Sequence, residues 1–279
     1  MSQVLFDEPG PRGLRRQRLA SGATVLVLLA VVALAVGKLA AEGQFTAAKW
    51  EVFVTPAYVQ ALLDGALVTV RAAAAAVVLS IVFGAVFAVG RLSERSWIRW
   101  PSTLVVEFFR AVPLLMLILA IYLVYGDALG KFWSLVLGLV LYNGSVLAEV
   151  FRAGVLAVPF GQSEAAYAVG MHKGQVMRLV LLPQAVRIML PAIISQSVVA
   201  LKDTSLGYVL PFEELTKTGQ LIAIEFSNYF AVAVVLAALF VVVNYALSRL
   251  AVWLERRLSR SGSKPVRALD GDLMGGGGG

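Results

Sequence analysis

Residues 159–183 read PFGQSEAAYAVGMHKGQVMRLVLLP, the longest polar interruption between strongly apolar segments in the second half of the chain. Two short helices fit this stretch, one over about 162–169 and one over about 174–182. Gly170 and Gly174 permit the bend between them. Ala165, Ala166 and Ala168 give the first helix a small-residue face that a partner surface can approach closely. Glu164 near its start is favoured by the helix dipole. The spacing predicts a compact helix-turn-helix held between membrane spans and facing another molecule.

The rest of the composition supports that frame. Hydrophobic residues make up 59% of the chain and charged residues 15%, with mean hydropathy +0.82. Several windows exceed the roughly 18 apolar residues that define a spanning helix, so the chain is an all-α integral membrane protein. The ten-residue alternation of barrel strands is absent. There is no cysteine and one histidine, His172, so a thiolate or histidine metal site is excluded. No glycine-rich phosphate loop and no nucleophile-base set occurs, which argues against an ATPase or other enzyme in this chain and against a bound cofactor. The net charge of +7 is explained by its placement beside the membrane and calls for no nucleic acid.

Working outward, about six spans are expected. Residues 1–22 are a basic N-terminus with Arg12, Arg15, Arg16 and Arg18, and 23–41 is an apolar run. It is longer than a leader's apolar core and lacks an A-x-A site, so it reads as a retained span. Further spans are expected at about 65–90, 103–125, 132–155, 188–206 and 230–254, with 207–220 partly re-entrant and 255–279 a basic, glycine-rich tail. The termini and the loops after spans two and four carry most of the Lys and Arg. The opposite loops hold chiefly Lys49, Lys131 and Lys217. That bias puts both termini and residues 159–183 in the cytoplasm.

Glu164-Ala-Ala, Gly170, Val180 and Leu182-Pro183 resemble the EAA signature of ABC importer permeases, with valine where isoleucine is usual. The flanks Ala148-Glu-Val-Phe-Arg152-Ala-Gly, Gly161-Gln-Ser and Leu182-Pro-Gln-Ala-Val-Arg187 are similar to the polar amino-acid permeases. So are Phe109-Arg110-Ala-Val-Pro113 and Leu201-Lys-Asp-Thr-Ser-Leu206. The resemblance covers about 63–254, so residues 60–254 are the expected permease domain, with 159–183 as its coupling loop. It implies a type I importer core of five helices, to which the 23–41 helix is an addition. It also implies a bacterial cytoplasmic-membrane location and a polar amino-acid substrate, glutamate, glutamine or aspartate before a basic amino acid. The implied partners are a cytoplasmic ABC ATPase dimer, a second permease subunit, an extracytoplasmic amino-acid-binding protein and membrane lipid. Gly161, Glu164, Ala165, Ala166, Gly170, Leu182 and Pro183 would then be the ATPase-coupling residues.

Charges inside the apolar runs are candidate substrate ligands. Arg110 falls about nine residues past Pro101, roughly 14 Å along a helix and near the middle of a ~30 Å core. It could hold a carboxylate in two parallel hydrogen bonds, or simply neutralise Glu107 one turn earlier. Lys202 could meet a substrate carboxylate and Asp203 an α-ammonium, with Thr204 and Ser205 completing the cage. Alternatively, Lys202 and Asp203 snorkel to the interface. Gln196 lies on the Asp203 face two turns earlier, and being neutral it favours an acidic or amide substrate. Glu149 and Arg152, one turn apart, read as a structural pair. An ion-gradient-driven secondary transporter is the alternative, but it would need an inverted repeat and a carboxylate path that the chain does not offer.

Overall fold

The computed structural model describes residues 10–260, which contain helices and no strand. The expected tail beyond residue 260 and residues 1–9 of the basic N-terminus lie outside the described residues. Five helices are long and apolar enough to cross a membrane: Arg12–Ala41, Pro56–Arg91, Leu114–Leu156, Lys173–Val209 and Tyr229–Arg249. By compactness the chain divides into two units.

The first unit comprises Met1–Gln60 and Gln220–Val234. Helix α1, Pro11–Ala41, starts on a proline at its first turn, where no N–H is needed. Apart from Gly13 and Leu39, its described side chains are exposed, with Leu and Val on every side. A helix apolar all round is built for an apolar surrounding, and Arg12–Ala41 is long and apolar enough to cross a membrane. The loop after it holds the short helix α2, Ala47–Trp50, and a 3₁₀ turn at Glu51–Val54. Asn228 ties this loop down: its side-chain amide donates to the Lys49 carbonyl, and Lys49 donates to the Ser227 carbonyl at 2.7 Å.

The second unit, Ala61–Gly219 and Val235–Gly279, carries the candidate site. Helix α3, Pro56–Arg91, buries Leu62, Gly65, Thr69, Ala72, Ala76, Ser80, Gly84 and Ala88, a stripe spaced by three and four. Most of these are small because lipid offers no hydrophobic drive between helices, so close backbone approach has to supply the packing. A Cβ added at Gly84 would lie 3.0 Å from the Gly144 carbonyl oxygen and 3.1 Å from the Ala148 nitrogen.

Helix α4, Ser96–Ala111, stops at Val112, whose ψ of 129° is the extended geometry imposed on a residue before proline. The expected single span over 103–125 is therefore broken at Val112–Pro113. Helix α5, Leu114–Leu156, is itself a hairpin. Gly130, with φ 74° and ψ 166°, reverses the chain between limbs 114–129 and 131–156. A Cβ at Gly138 would strike Ile118 Cγ1 at 2.7 Å, a contact possible only if the limbs run back on each other. The five long helices thus provide six apolar limbs.

Helix α6, Phe160–Ala168, is followed by α7, Lys173–Gln175, a π-helical turn at Val176–Leu181 and α8, Leu182–Asp203. The expected end of the second short helix at Leu182–Pro183 is a misreading. Pro183 lies in the first turn of α8 and removes one backbone donor, while the wider π turn upstream changes the hydrogen-bond register. The helix continues into the membrane, then tightens to 3₁₀ at Thr204–Val209. Helix α9, Leu215–Glu225, and helix α10, Tyr229–Arg260, are the last elements of the described residues, and the expected re-entrant piece is a 3₁₀ turn, a short loop and the first turn of α9. One core joins α3, both limbs of α5 and Leu210. A second joins Ala88, Leu147, Phe151, Val158, Ala185 and Met189 at the other end of α3.

Candidate functional site

The stretch 159–183 forms the expected protrusion. Helix α6 ends in a left-handed turn at Gly170, φ 81°. The Gly170 N–H donates to the Tyr167 carbonyl at 2.9 Å and the Met171 N–H to the Ala166 carbonyl at 3.1 Å. These are the two bonds of a Schellman stop. Gln175 Oε1 then accepts the His172 N–H at 2.8 Å and starts α7. Gly161, Glu164, Ala165, Gly170, Leu182 and Pro183 are exposed, while Ala166 is buried beneath them. Gln184 donates to the Val180 carbonyl at 3.0 Å and to Gln162 Oε1 at 3.4 Å, fastening the base of α8 to α6. Lys173 forms an ion pair with Glu94, so the loop after α3 lies beside the protrusion, at the same end of the unit. Lys173 also holds the Glu94 carboxyl below its ordinary range.

A second group of polar residues lies in the apolar part. Asn143, on the second limb of α5, is 1% exposed. Its Oδ1 accepts from Gln196 Nε2 at 2.5 Å and its Nδ2 donates to Asp203 Oδ2 at 3.4 Å. Gln196 and Asp203 are half-buried and share one face of α8, as their seven-residue spacing requires. Lys202 is exposed on the adjoining face, and Ser205 is half-buried. Thr204 is fully buried and its hydroxyl donates to the Leu201 carbonyl at 2.6 Å, which occupies its one proton. The structure thus brings Asp203 and Gln196 together and leaves Thr204 in the backbone turn. Asn143, the residue that joins them, reads from sequence as one polar residue in a span and nothing more.

Arg110 belongs to a chain of alternating charge. Its Nη1 donates to Glu107 Oε1 at 3.2 Å and Oε2 at 3.3 Å. Arg91 Nη2 donates to the same Glu107 Oε1 at 3.1 Å, and Arg91 Nη1 stands 2.9 Å from Glu149 Oε2. Arg152 closes the row, donating from Nη2 to Glu149 Oε1 at 2.6 Å and from Nε to Oε2 at 3.2 Å. Three arginines face two glutamates across α3, α4 and α5. The Arg91 side chain is only 8% exposed, a burial that needs both carboxylates. Of the two readings of Arg110, the pairing with Glu107 is present in this conformation.

Glu214, fully buried outside the long apolar helices, is a further residue that sequence reasoning passes over. Its carboxylate accepts the N–H groups of Thr216 at 2.8 Å and Lys217 at 2.7 Å, capping α9. Thr69 Oγ1 accepts the Leu215 N–H at 3.1 Å and donates to the Gly65 carbonyl at 2.9 Å. Burial pushes the Glu214 carboxyl up, against the pull of those N–H groups. No local signal marks it, because glutamate is not among the side chains preferred just before a helix start.

Residues 80–260 match the family described as binding-protein-dependent transport system inner membrane component. The chain is 39% identical over 227 residues to the glutamate transport system permease protein GluD of Corynebacterium glutamicum, covering 79% of this chain and 83% of that protein. It is 32% identical over 207 residues to the glutamate/aspartate import permease protein GltK of Escherichia coli O157:H7, covering 70% and 92%. Among solved structures it is similar to an amino acid ABC transporter crystallised with histidines, at TM-score 0.67 and 30% identity over 72% of this chain and 95% of that one.

Proposed function

This chain belongs to the binding-protein-dependent transport system inner membrane components, and from that premise we propose that it is the permease subunit of an ATP-driven importer carrying glutamate, or its relatives glutamine and aspartate, into the cytoplasm. The observation that carries the reading is the exposed α6–α7 protrusion, with Glu164 on its surface and the base of α8 fastened beneath it. A helix that continues from the protrusion at Lys173, through the π turn and past Pro191, to Asp203 is a lever. Displacement of its base reaches the polar cluster through backbone hydrogen bonds and not through a flexible loop.

The permease works with two copies of a cytoplasmic ATPase, a second permease subunit and an extracytoplasmic amino-acid-binding protein. Both termini and the protrusion face the cytoplasm. ATP binding closes the ATPases against the protrusions and tilts the α8 levers, favouring the conformation that receives substrate from outside. Gly161, Glu164, Ala165, Ala166, Gly170, Leu182 and Pro183 form or support the contact.

Asp203 takes the substrate α-ammonium, with Gln196 and Ser205 beside it. Lys202, exposed on the next face, and Arg110 are the cations available to carboxylates. For Arg110 to serve, Glu107 must release it, so this residue acts in a conformation where the charge row has opened. The amide groups of Asn143 and Gln196 add no anion beside Asp203, which supports an acidic or amide side chain in the substrate.

Uptake by the reconstituted complex with labelled glutamate, glutamine, aspartate, arginine and histidine tests the proposal. ATP-dependent uptake led by the acidic and amide amino acids is expected. Uptake without the ATPase, or uptake of basic amino acids alone, overturns it.

A further inference from the structure

Five arginines gather where α3 meets α4 and α5, and two of them differ from the others. Arg91, Arg110 and Arg152 each meet Glu107 or Glu149. Arg95 and Arg99 are exposed, and no carboxylate lies within the 4.0 Å of a salt bridge from either among the described residues. The acid of their own loop, Glu94, is taken by Lys173. Yet both arginines are held in place. The Arg95 N–H donates to Ser93 Oγ at 3.2 Å, its guanidinium stands 6.0 Å from the centroid of the Trp97 ring, and Arg99 Nη1 donates to the Ser93 carbonyl at 3.3 Å.

An apolar stripe runs down the other side of α4 from the Arg99 backbone: Arg95 meets its first ring, Trp97, and Arg99 leaves α4 on the Val106 side and reaches back to Ser93 at the same end of the helix. Trp97, Trp100, Leu104 and Phe108 are 70%, 69%, 55% and 57% exposed, spaced three and four apart on the side of α4 away from the fully buried Val106. At ~1.5 Å per residue the stripe is roughly 16 Å long, about half a ~30 Å hydrocarbon core. It therefore has the length of one leaflet, with two indoles at the end where headgroups lie and aliphatic and phenyl groups at the other. The stripe accepts acyl chains, and the two uncompensated guanidiniums at its indole end accept an anion. One molecule offers both.

We propose that the first turn of α4 binds an anionic phospholipid from the leaflet on the side of the coupling protrusion, with Arg95 and Arg99 on its phosphate and Trp97 and Trp100 at its glycerol level. The site adjoins the protrusion through Glu94, which precedes Arg95 and pairs with Lys173 at the start of α7. Headgroup occupancy thereby bears on how firmly the protrusion is held.

The test is native mass spectrometry of the purified full-length chain titrated with phosphatidylglycerol or phosphatidylcholine. The wild type is expected to retain phosphatidylglycerol preferentially. Arg95→Gln/Arg99→Gln lowers that retention by roughly thirtyfold, since each basic side chain at an anionic surface contributes about a factor of five. Phosphatidylcholine retention stays unchanged, and Arg71→Gln/Lys131→Gln, exposed positions far back along α3 and at the α5 hairpin turn, leaves both unchanged. Equal retention of the two lipids by the wild type, or equal losses in the two double variants, overturns the site. So does a double variant that keeps its lipid and instead loses affinity for the ATPase, which would make these arginines a protein contact.

Discussion

Arg91 on α3 and Glu149 on α5 meet at 2.9 Å, and through this pair two further arginines and a second glutamate are joined across three helices. Arg91 follows Gly90 at the end of the α3 apolar run, so the row of charges marks where that run stops and fixes how the helices meet there. Removing the central cation leaves two carboxylates facing each other. Arg91→Ala is expected to cost about 2–3 kcal/mol, below the largest values for broken buried pairs because Glu107 and Glu149 are partly exposed. Arg91→Lys recovers only part, since an ammonium cannot reach both carboxylates with separate donors. Thermal unfolding in detergent reads both, and an unchanged midpoint for Arg91→Ala contradicts the bracing role.

The α5 hairpin makes its own prediction. Gly138 lies with its backbone against Ile118, where an added Cβ would also stand 3.2 Å from the Ile118 Cα. A flexible side-chain end could move aside, but the facing backbone cannot. Gly138→Val is expected to force the limbs apart at a cost of several kcal/mol, about the upper range for overpacking. It should show as loss of monodisperse protein on size-exclusion chromatography. Gly126→Ala is the contrast, since its added Cβ meets only the ring of Tyr122, which can turn.

Much of this was legible in the sequence. Apolar run length located the spans except 103–125, which Val112–Pro113 divides, Gly170 marked the stop of α6, and the seven-residue interval placed Gln196 and Asp203 on one face. Asn143 was not legible as their bridge, because its partners lie 53 and 60 positions away and only packing of α5 on α8 brings them together. Arg91 reads as one more basic residue at a span end until Glu107 and Glu149 arrive from two other helices. The continuity through Pro183 was missed because proline at that place ordinarily ends a helix, and the π turn that accommodates it has no sequence mark. Glu214 was missed because nothing local shows that Thr69, 145 positions earlier, covers it.

Gly170 is predicted to separate stability from coupling. Its φ of 81° is open to glycine and strained for a β-branched residue, while no atom lies within 4 Å of an added Cβ. Gly170→Val is therefore expected to cost on the order of 1–2 kcal/mol through backbone strain alone. The Schellman stop should loosen, and ATP hydrolysis should proceed with reduced uptake. Equal uptake per ATP in variant and wild type contradicts a rigid protrusion.

Glu214 carries a pH signature. Its carboxyl is raised above the ordinary glutamate range by burial. The folded protein therefore binds that proton more tightly than the unfolded chain does. The contribution is full below the ordinary glutamate range and is lost as pH rises through the raised value. Glu214→Gln lacks this term, at the pH-independent expense of one helix-capping acceptor. As pH rises from the ordinary glutamate range through the raised value, the melting midpoint of the variant should gain on that of the wild type. A constant difference over that range contradicts burial as the dominant influence on this carboxyl.

The most direct test of the lever is Glu164→Arg, an exposed change on α6 that touches neither the polar cluster nor the charge row. Labelled glutamate uptake and ATP hydrolysis are measured together in proteoliposomes holding the complete complex. The variant is expected to fold and assemble, yet to import at least about tenfold less glutamate per ATP hydrolysed, as loss of coupling between the two sites requires. Wild-type uptake per ATP from Glu164→Arg would contradict the claim that α6 receives the work of the ATPase.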